Sequence, residues 1–155
     1  MEKLEQIILN LGFESVSEFA KIRLVAFLKK NTQSIYLFTP QIVFFKEQIF
    51  LLEQNQISVE DFLTGISIDF VDFLRQELLF FCQENIQLCK FQIQIFKKKY
   101  FLESYTELSQ NYHQITQVAD NEKDSDEIVW ENLIHLKQEL SEILTEILLW
   151  NQEQK

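Results

Sequence analysis

Two glycines and one proline in 155 residues leave little from which to build tight turns. Folds of many short strands, and loops that cradle phosphate with bare backbone, both depend on such residues, so both are disfavoured. Cysteine is as scarce: Cys82 and Cys89 are the whole complement. At i and i+7 of one helix they would stand about 10 Å apart along its axis. That is too far for a disulfide and wider than the close pairs of zinc sites. Arginine occurs twice, as Arg23 and Arg75. Since the guanidinium fork is the preferred phosphate contact, direct nucleic-acid binding is not expected.

Catalytic constellations are missing too. His113 and His135 are the only imidazoles, and no nucleophile elbow, catalytic-cysteine motif or phosphate loop occurs. The Glu-x-x-His pairs of di-iron bundles are absent. Glu131, His135 and Glu139 share a helical face, but that spacing is ordinary on a wet surface. The chain is therefore expected not to be an enzyme and to need no cofactor or metal. No run of eighteen uncharged apolar residues exists. Ser34–Phe45 comes nearest, but Pro40 cuts it and Lys46 and Glu47 follow, so no membrane span is expected. The start, Met-Glu-Lys-Leu-Glu, lacks the basic and apolar blocks of a secretory signal. With two cysteines only, that points to the cytoplasm.

What the chain does have is apolar content, at 46% of residues, with fifteen phenylalanines, and a net charge of −10. Aromatic residues at helical spacing are usually core rather than a ligand cage. The charge is uneven. Residues 1–118 hold 14 acids and 11 bases, for −3, whereas residues 119–155 hold 10 acids and 3 bases, for −7.

Helical spacing runs through the whole chain. Leu4, Ile7, Ile8 and Leu11 form one side of a first short helix, which Gly12 can stop. Ser15-Val-Ser-Glu18 is a capping box. It opens a helix to about Lys30, with Ala20, Leu24, Phe27 and Leu28 facing inward. The Ser-x-Ser-Glu-Phe run ending at Phe19 resembles the cap of the first helix in ribbon–helix–helix DNA-binding proteins. The resemblance is confined to Gly12–Lys30, and the strand those proteins place before that helix is replaced here by helical spacing. Residues 31–39 read as a loop holding an extended Ile35–Phe38. Thr39-Pro40 then starts a helix, with a capping hydroxyl and proline in the first turn, that turns Ile42, Phe45, Ile49 and Leu52 to the core.

A spine of nearly continuous helix is expected from Ser58, the cap, to about Val118, interrupted only near Gly65. Cys82, Ile86, Cys89, Ile93, Phe96 and Tyr100 share one face. Phe101, Tyr105, Leu108, Tyr112, Ile115 and Ala119 repeat the spacing offset by one residue, which places a bend or break near Lys98–Phe101. A further stripe of Leu74, Leu78, Phe81, Leu88, Phe91 and Ile95 implies cover on a second side. Lys97-Lys-Lys99 is the only basic run, read as a solvated edge or as an internal partner for the acidic C-terminal helix.

Residues 119–126 read as an acidic, mobile linker before a C-terminal helix over 127–152. There Val129, Leu133, Leu136, Leu140, Ile143, Ile147 and Trp150 keep a heptad seam, edged by Glu131, Glu139, Glu142 and Glu146. The expectation is an all-α single domain of about five helices in a bundle-like array, with one long, bent or broken central helix. Its expected role is a non-catalytic protein–protein interaction module that docks another protein or a second copy through that seam. Two alternatives stand beside it. One is an acidic inhibitor, immunity-like or nucleic-acid-mimicking protein; the other is a bundle that binds a metal or an apolar ligand.

Overall fold

The computed structural model describes residues 1–33 and 39–153, and within them the chain is all helix, without a strand. Seven α-helices follow in order: α1 (Glu2–Asn10), α2 (Val16–Thr32), α3 (Thr39–Glu53), α4 (Val59–Gly65), α5 (Phe70–Tyr100), α6 (Tyr105–Gln110) and α7 (Asp120–Glu153). A single 3-10 turn, Tyr112–Gln114, precedes α7. Helix α2 runs two residues beyond the expected Lys30. The extended Ile35–Phe38 stretch and the capping side chain of Thr39 lie outside the described residues. The chain divides into two compact units, Met1–Leu78 and Leu79–Lys155, a division that length and composition do not reveal.

The first unit follows the capping signals closely. Ser15 Oγ accepts from the Glu18 amide at 3.0 Å, and the Glu18 carboxylate in return accepts from the Glu14 amide at 2.6 Å. Ser58 Oγ caps α4 through the Asp61 amide at 3.0 Å. Leu4, Ile7 and Ile8 of α1 are buried, as are Phe19, Ala20, Leu24, Val25 and Leu28 of α2. The expected inward Phe27 is instead exposed, because burial on α2 centres on the Phe19–Leu24–Leu28 side. Ile49 and Leu52 supply the buried face of α3, Val59 and Leu63 that of α4, and Leu74 and Leu78 that of early α5. Each such side chain, fully withdrawn from water, contributes on the order of 1.5–3 kcal/mol. Arg23 Nε donates to Glu77 Oε2 at 2.8 Å, with both groups largely withdrawn from solvent.

The expected spine from Ser58 to about Val118 is cut three times, after Gly65, after Tyr100 and after Gln110, and the first two cuts have the same cause. Helix α4 ends where Ser67 takes φ +59 and the Ile68 amide reaches back to the Leu63 carbonyl at 2.9 Å. Helix α5 ends where Phe101 takes φ +56 and the Leu102 amide reaches the Lys97 carbonyl at 3.3 Å. Asn55, at φ +56, closes α3 in the same way, through the Gln56 amide and the Leu51 carbonyl. Each is a left-handed stop with the six-to-one hydrogen bond of a Schellman cap, the position that favours glycine. Of the two glycines, Gly12 (φ +99) serves such a stop after α1, whereas Gly65 lies inside α4. Asp69 then restarts the helix by accepting from the Asp72 amide at 3.1 Å.

In the second unit the C-terminal end of α5 and the first half of α7 run antiparallel, with Lys99 and Tyr100 against Asp126 and Phe96 against Trp130, joined through α6 and the 3-10 turn. Ile93, Tyr100, Leu108, Ile115 and Trp130 form a buried cluster, with Phe96, Leu102, Tyr105, Leu133 and Ile134 against it. Trp130 is fully buried and stacks on Phe96 with ring centroids 5.8 Å apart. Its indole N–H meets no acceptor among the described residues, so the ring serves through its area and not through a hydrogen bond.

Phe101 is 88% exposed while held in a conformation costly for a bulky side chain. Replacing it with glycine should therefore stabilise the protein by about 1 kcal/mol, since little packing is lost and the left-handed strain disappears. A rise in the urea or thermal midpoint checks this.

Candidate docking face

The setting of α5 in the second unit is fixed at the end where the chain turns back. Lys99 Nζ donates to Glu122 Oε1 at 2.5 Å and to Asp126 Oδ2 at 2.6 Å, and the Tyr100 hydroxyl donates to the same Asp126 oxygen at 2.6 Å. Its hydrogen bonds to Asp126, and then to Glu122, hold the Lys99 ammonium above its ordinary range. Burial first, and the Asp126 hydrogen bond second, raise the Tyr100 hydroxyl. Of the basic run, Lys99 is thus an internal partner of α7, whereas Lys98 stays on the surface.

The acidic stretch expected as a mobile linker, residues 119–126, is instead the first two turns of α7 from Asp120 onward. The reason is Lys123. Its side chain is buried, and its ammonium donates to the carbonyls of Tyr112 and Ile115 at 2.7 Å each. It also lies 4.1 Å above the centre of the Tyr112 ring and 3.1 Å from Asp120 Oδ1. One cation on the buried side of an acidic segment turns that segment into a helix. Tyr112 adds a hydrogen bond from its hydroxyl to the Asp120 carbonyl at 3.0 Å, and Ser109 donates its hydroxyl to Glu127.

The heptad seam of α7 is half placed. Leu140 and Ile147 are fully buried, and Leu133, Ile143 and Trp150 are partly so. Val129 and Leu136, at 44% and 40%, are exposed. The buried face is rotated toward Lys123, Trp130, Lys137 and Leu144, one residue on from Val129, Leu136 and Ile143. Of the edge acids, Glu139 and Glu142 are exposed, and Glu131 and Glu146 partly so. Glu142 accepts from Gln138 Nε2 at 3.2 Å.

The uncovered apolar surface lies on α5 instead. Cys82, Ile86, Cys89, Ile93 and Tyr100 are buried, as their spacing implies. The second stripe, expected to be covered, is covered only in its first half: Leu74 and Leu78 are fully buried and Phe81 partly so, whereas Leu88, Phe91 and Ile95 are 56%, 65% and 49% exposed, with Phe80 also open. Their 3-4 spacing places them across the helix from the buried face. Around them stand exposed Gln87, Lys90, Gln94 and Lys98. Sequence spacing had found the stripe; only the rotation fixed by Asp126 and Trp130 says which side faces water.

Other chemistry is thin. A groove of about 630 Å³ between α5 and α7 has Ile93 and Ile134 in its wall. Its charges cancel, Lys97 and Lys137 against Glu103 and Glu142, and Lys97 already stands 3.7 Å from Glu103. Among the described residues no group of three or more His, Cys, Asp or Glu is placed to hold a metal ion, and no helix is long and apolar enough to cross a membrane. Burial pushes the Cys82 thiol from 9.0 up to about 11. No family model matches this chain, and no curated protein or solved structure is significantly similar to it.

Lys123→Ala should cost about 2–3 kcal/mol, because two carbonyls lose a charged donor. Hydrogen exchange should then quicken selectively at amides of residues 120–126; uniform exchange would deny Lys123 its local role. The pH response follows from five groups raised together, Cys82, Cys89, Lys99, Tyr100 and Tyr112. A raised folded-state value gives stability that is complete below the unfolded value and lost as pH climbs through the folded one. The urea midpoint should therefore hold up to about pH 9, the ordinary value for Cys82, and fall steadily toward 11. Cys82→Ala should flatten the start of that fall, even if it lowers the midpoint at neutral pH.

Proposed function

We propose that this chain is a non-catalytic helical module that docks another protein through an apolar helix face, as a complex subunit, adaptor or small regulator. One observation carries the reading: the outward stripe Leu88–Phe91–Ile95 on α5, rigid over two turns and facing solvent. Contiguous apolar surface of this kind is the usual mark of a recognition site. A row at i, i+3 and i+7 is the spacing by which one helix lies along another. The α7 seam is the lesser surface, since Leu140 and Ile147 are already buried within the chain.

The acidic-inhibitor reading has less to stand on. It depends on the −7 of residues 119–155 being available to a basic partner. At least five of those ten acids are engaged internally: Glu122 and Asp126 with Lys99, Asp120 with Lys123, Glu127 with Ser109, and Glu142 with Gln138.

Two substitutions separate docking from folding. Phe91→Asp, at an exposed site, should change stability by no more than about 0.5 kcal/mol, yet remove the proteins that co-elute with the wild-type chain at native expression. Leu140→Asp should instead unfold the protein, since it places a charge at a site 1% exposed. Circular dichroism melts and mass spectrometry of co-eluting proteins read both. An unchanged co-elution pattern with Phe91→Asp would overturn the reading.

A further inference from the structure

The outer face of α5 differs in charge from the rest of the chain. Residues 85–102 contain four lysines and no acid, in a protein of net charge −10. Two of the four are engaged: Lys99 by Glu122 and Asp126, and Lys97 near Glu103. The other two, Lys90 and Lys98, are exposed and have no ion-pair partner among the described residues. Lys98 continues the apolar row, three residues beyond Ile95, and Lys90 flanks Phe91. The remaining edge, Gln87 and Gln94, is neutral. The apolar row from Leu88 to Ile95 spans roughly 10 Å at 1.5 Å per residue, about two helical turns, and toward Phe80 it is bounded by exposed Glu84 on the same face.

Phe101 stands just past the same helix end. It is the most exposed large apolar side chain in the described chain and is held at φ +56. Glycine or asparagine would fill that position with less strain. A strained, fully exposed aromatic beside a docking row fits an anchor for a partner.

Resting on the docking reading above, we propose that this face takes an amphipathic helix with acidic edges from a different protein. Its apolar side would lie along Leu88, Phe91 and Ile95, its carboxylates would meet Lys90 and Lys98, and Phe101 would grip its end. Charge complementarity makes this choice. Two copies of a −10 chain repel at long range, and so does an anionic membrane.

The test uses the full-length protein and three synthetic 20-residue peptides. All share one apolar row at i, i+3, i+4 and i+7, and their edges carry glutamate, glutamine or lysine. The glutamate-edged peptide should bind tightest by fluorescence anisotropy, and should lose about tenfold in affinity between low and high salt. The double variant Lys90→Glu/Lys98→Glu should reverse the preference toward the lysine-edged peptide. Phe101→Gly should weaken binding several-fold while raising the melting temperature, a combination that a purely structural residue would not give; unchanged affinity would remove Phe101 from the site.

Equal, salt-insensitive binding of all three peptides, lost in Phe91→Asp, would overturn the acidic partner but keep the docking face. Binding by none would overturn the face as well. Concentration-dependent self-association in sedimentation, lost in Phe91→Asp, would assign the face to a second copy. Capture by vesicles of anionic phospholipid, lost in the lysine variant, would assign it to a membrane. Either result would overturn the proposal.

Discussion

Everything distinctive about the second unit depends on the rotation of α5 about its own axis. That rotation is set by two contacts one turn apart. At Asp126 a single carboxylate oxygen takes hydrogen bonds from both Lys99 and Tyr100. At Trp130 the indole stacks on Phe96. A helix with apolar residues on two opposite sides can in principle bury either one. The side that carries Tyr100 and Phe96 is drawn to α7, so the side that carries Leu88, Phe91 and Ile95 is left outward. Charge-assisted hydrogen bonds that are partly withdrawn from water hold orientation more firmly than exposed ion pairs do. The geometry of the candidate face is thus a consequence of residues on its far side.

Scarcity of glycine shapes the chain in a second way. Helices need left-handed stops wherever the path reverses sharply, and here Asn55, Ser67 and Phe101 supply three of them. Asparagine tolerates that region and serine less so; a phenylalanine there is strained. The strain falls at a residue almost wholly in solvent, where packing gives no return for it. That imbalance is what separates Phe101 from the other two stops and ties it to recognition.

Much of the architecture was legible in the residues themselves. Ser15 and Ser58 announced their helices, because a hydroxyl three residues before an amide it can accept from is a local arrangement. The Cys82-to-Tyr100 series announced the buried face of α5 by spacing alone, and the one-residue slip near Phe101 marked the real break. What failed was non-local. Nothing near Asp120–Asp126 says that a segment with four acids will be helical; that depends on Lys123 reaching carbonyls eight and eleven residues back. The α7 seam failed for a related reason. Val129 and Leu136 continue the heptad with Leu133 and Leu140 as well as Trp130 and Lys137 do. Hydrophobicity favours the leucine and valine, but Trp130 is fully buried and Lys137 is partly buried, while Val129 and Leu136 are exposed. The uncovered stripe of α5 was visible as a stripe, and only its exposure was hidden.

The sign of the local charge then bears on how a partner could be chosen. At physiological ionic strength fields decay over about 8 Å, so the −10 of the whole chain acts at a distance while Lys90 and Lys98 act at contact. An acidic helix would be discouraged from most of this surface and tolerated along one strip. Two surface lysines contribute modestly to affinity, since exposed ion pairs are worth roughly 0–1 kcal/mol each. The holding energy has to come from the phenyl and aliphatic groups, whose burial is worth more per side chain. Charge on this face therefore sets where a partner lands and which partner is refused, while the apolar row sets how long it stays. Such a division of labour needs no catalytic group.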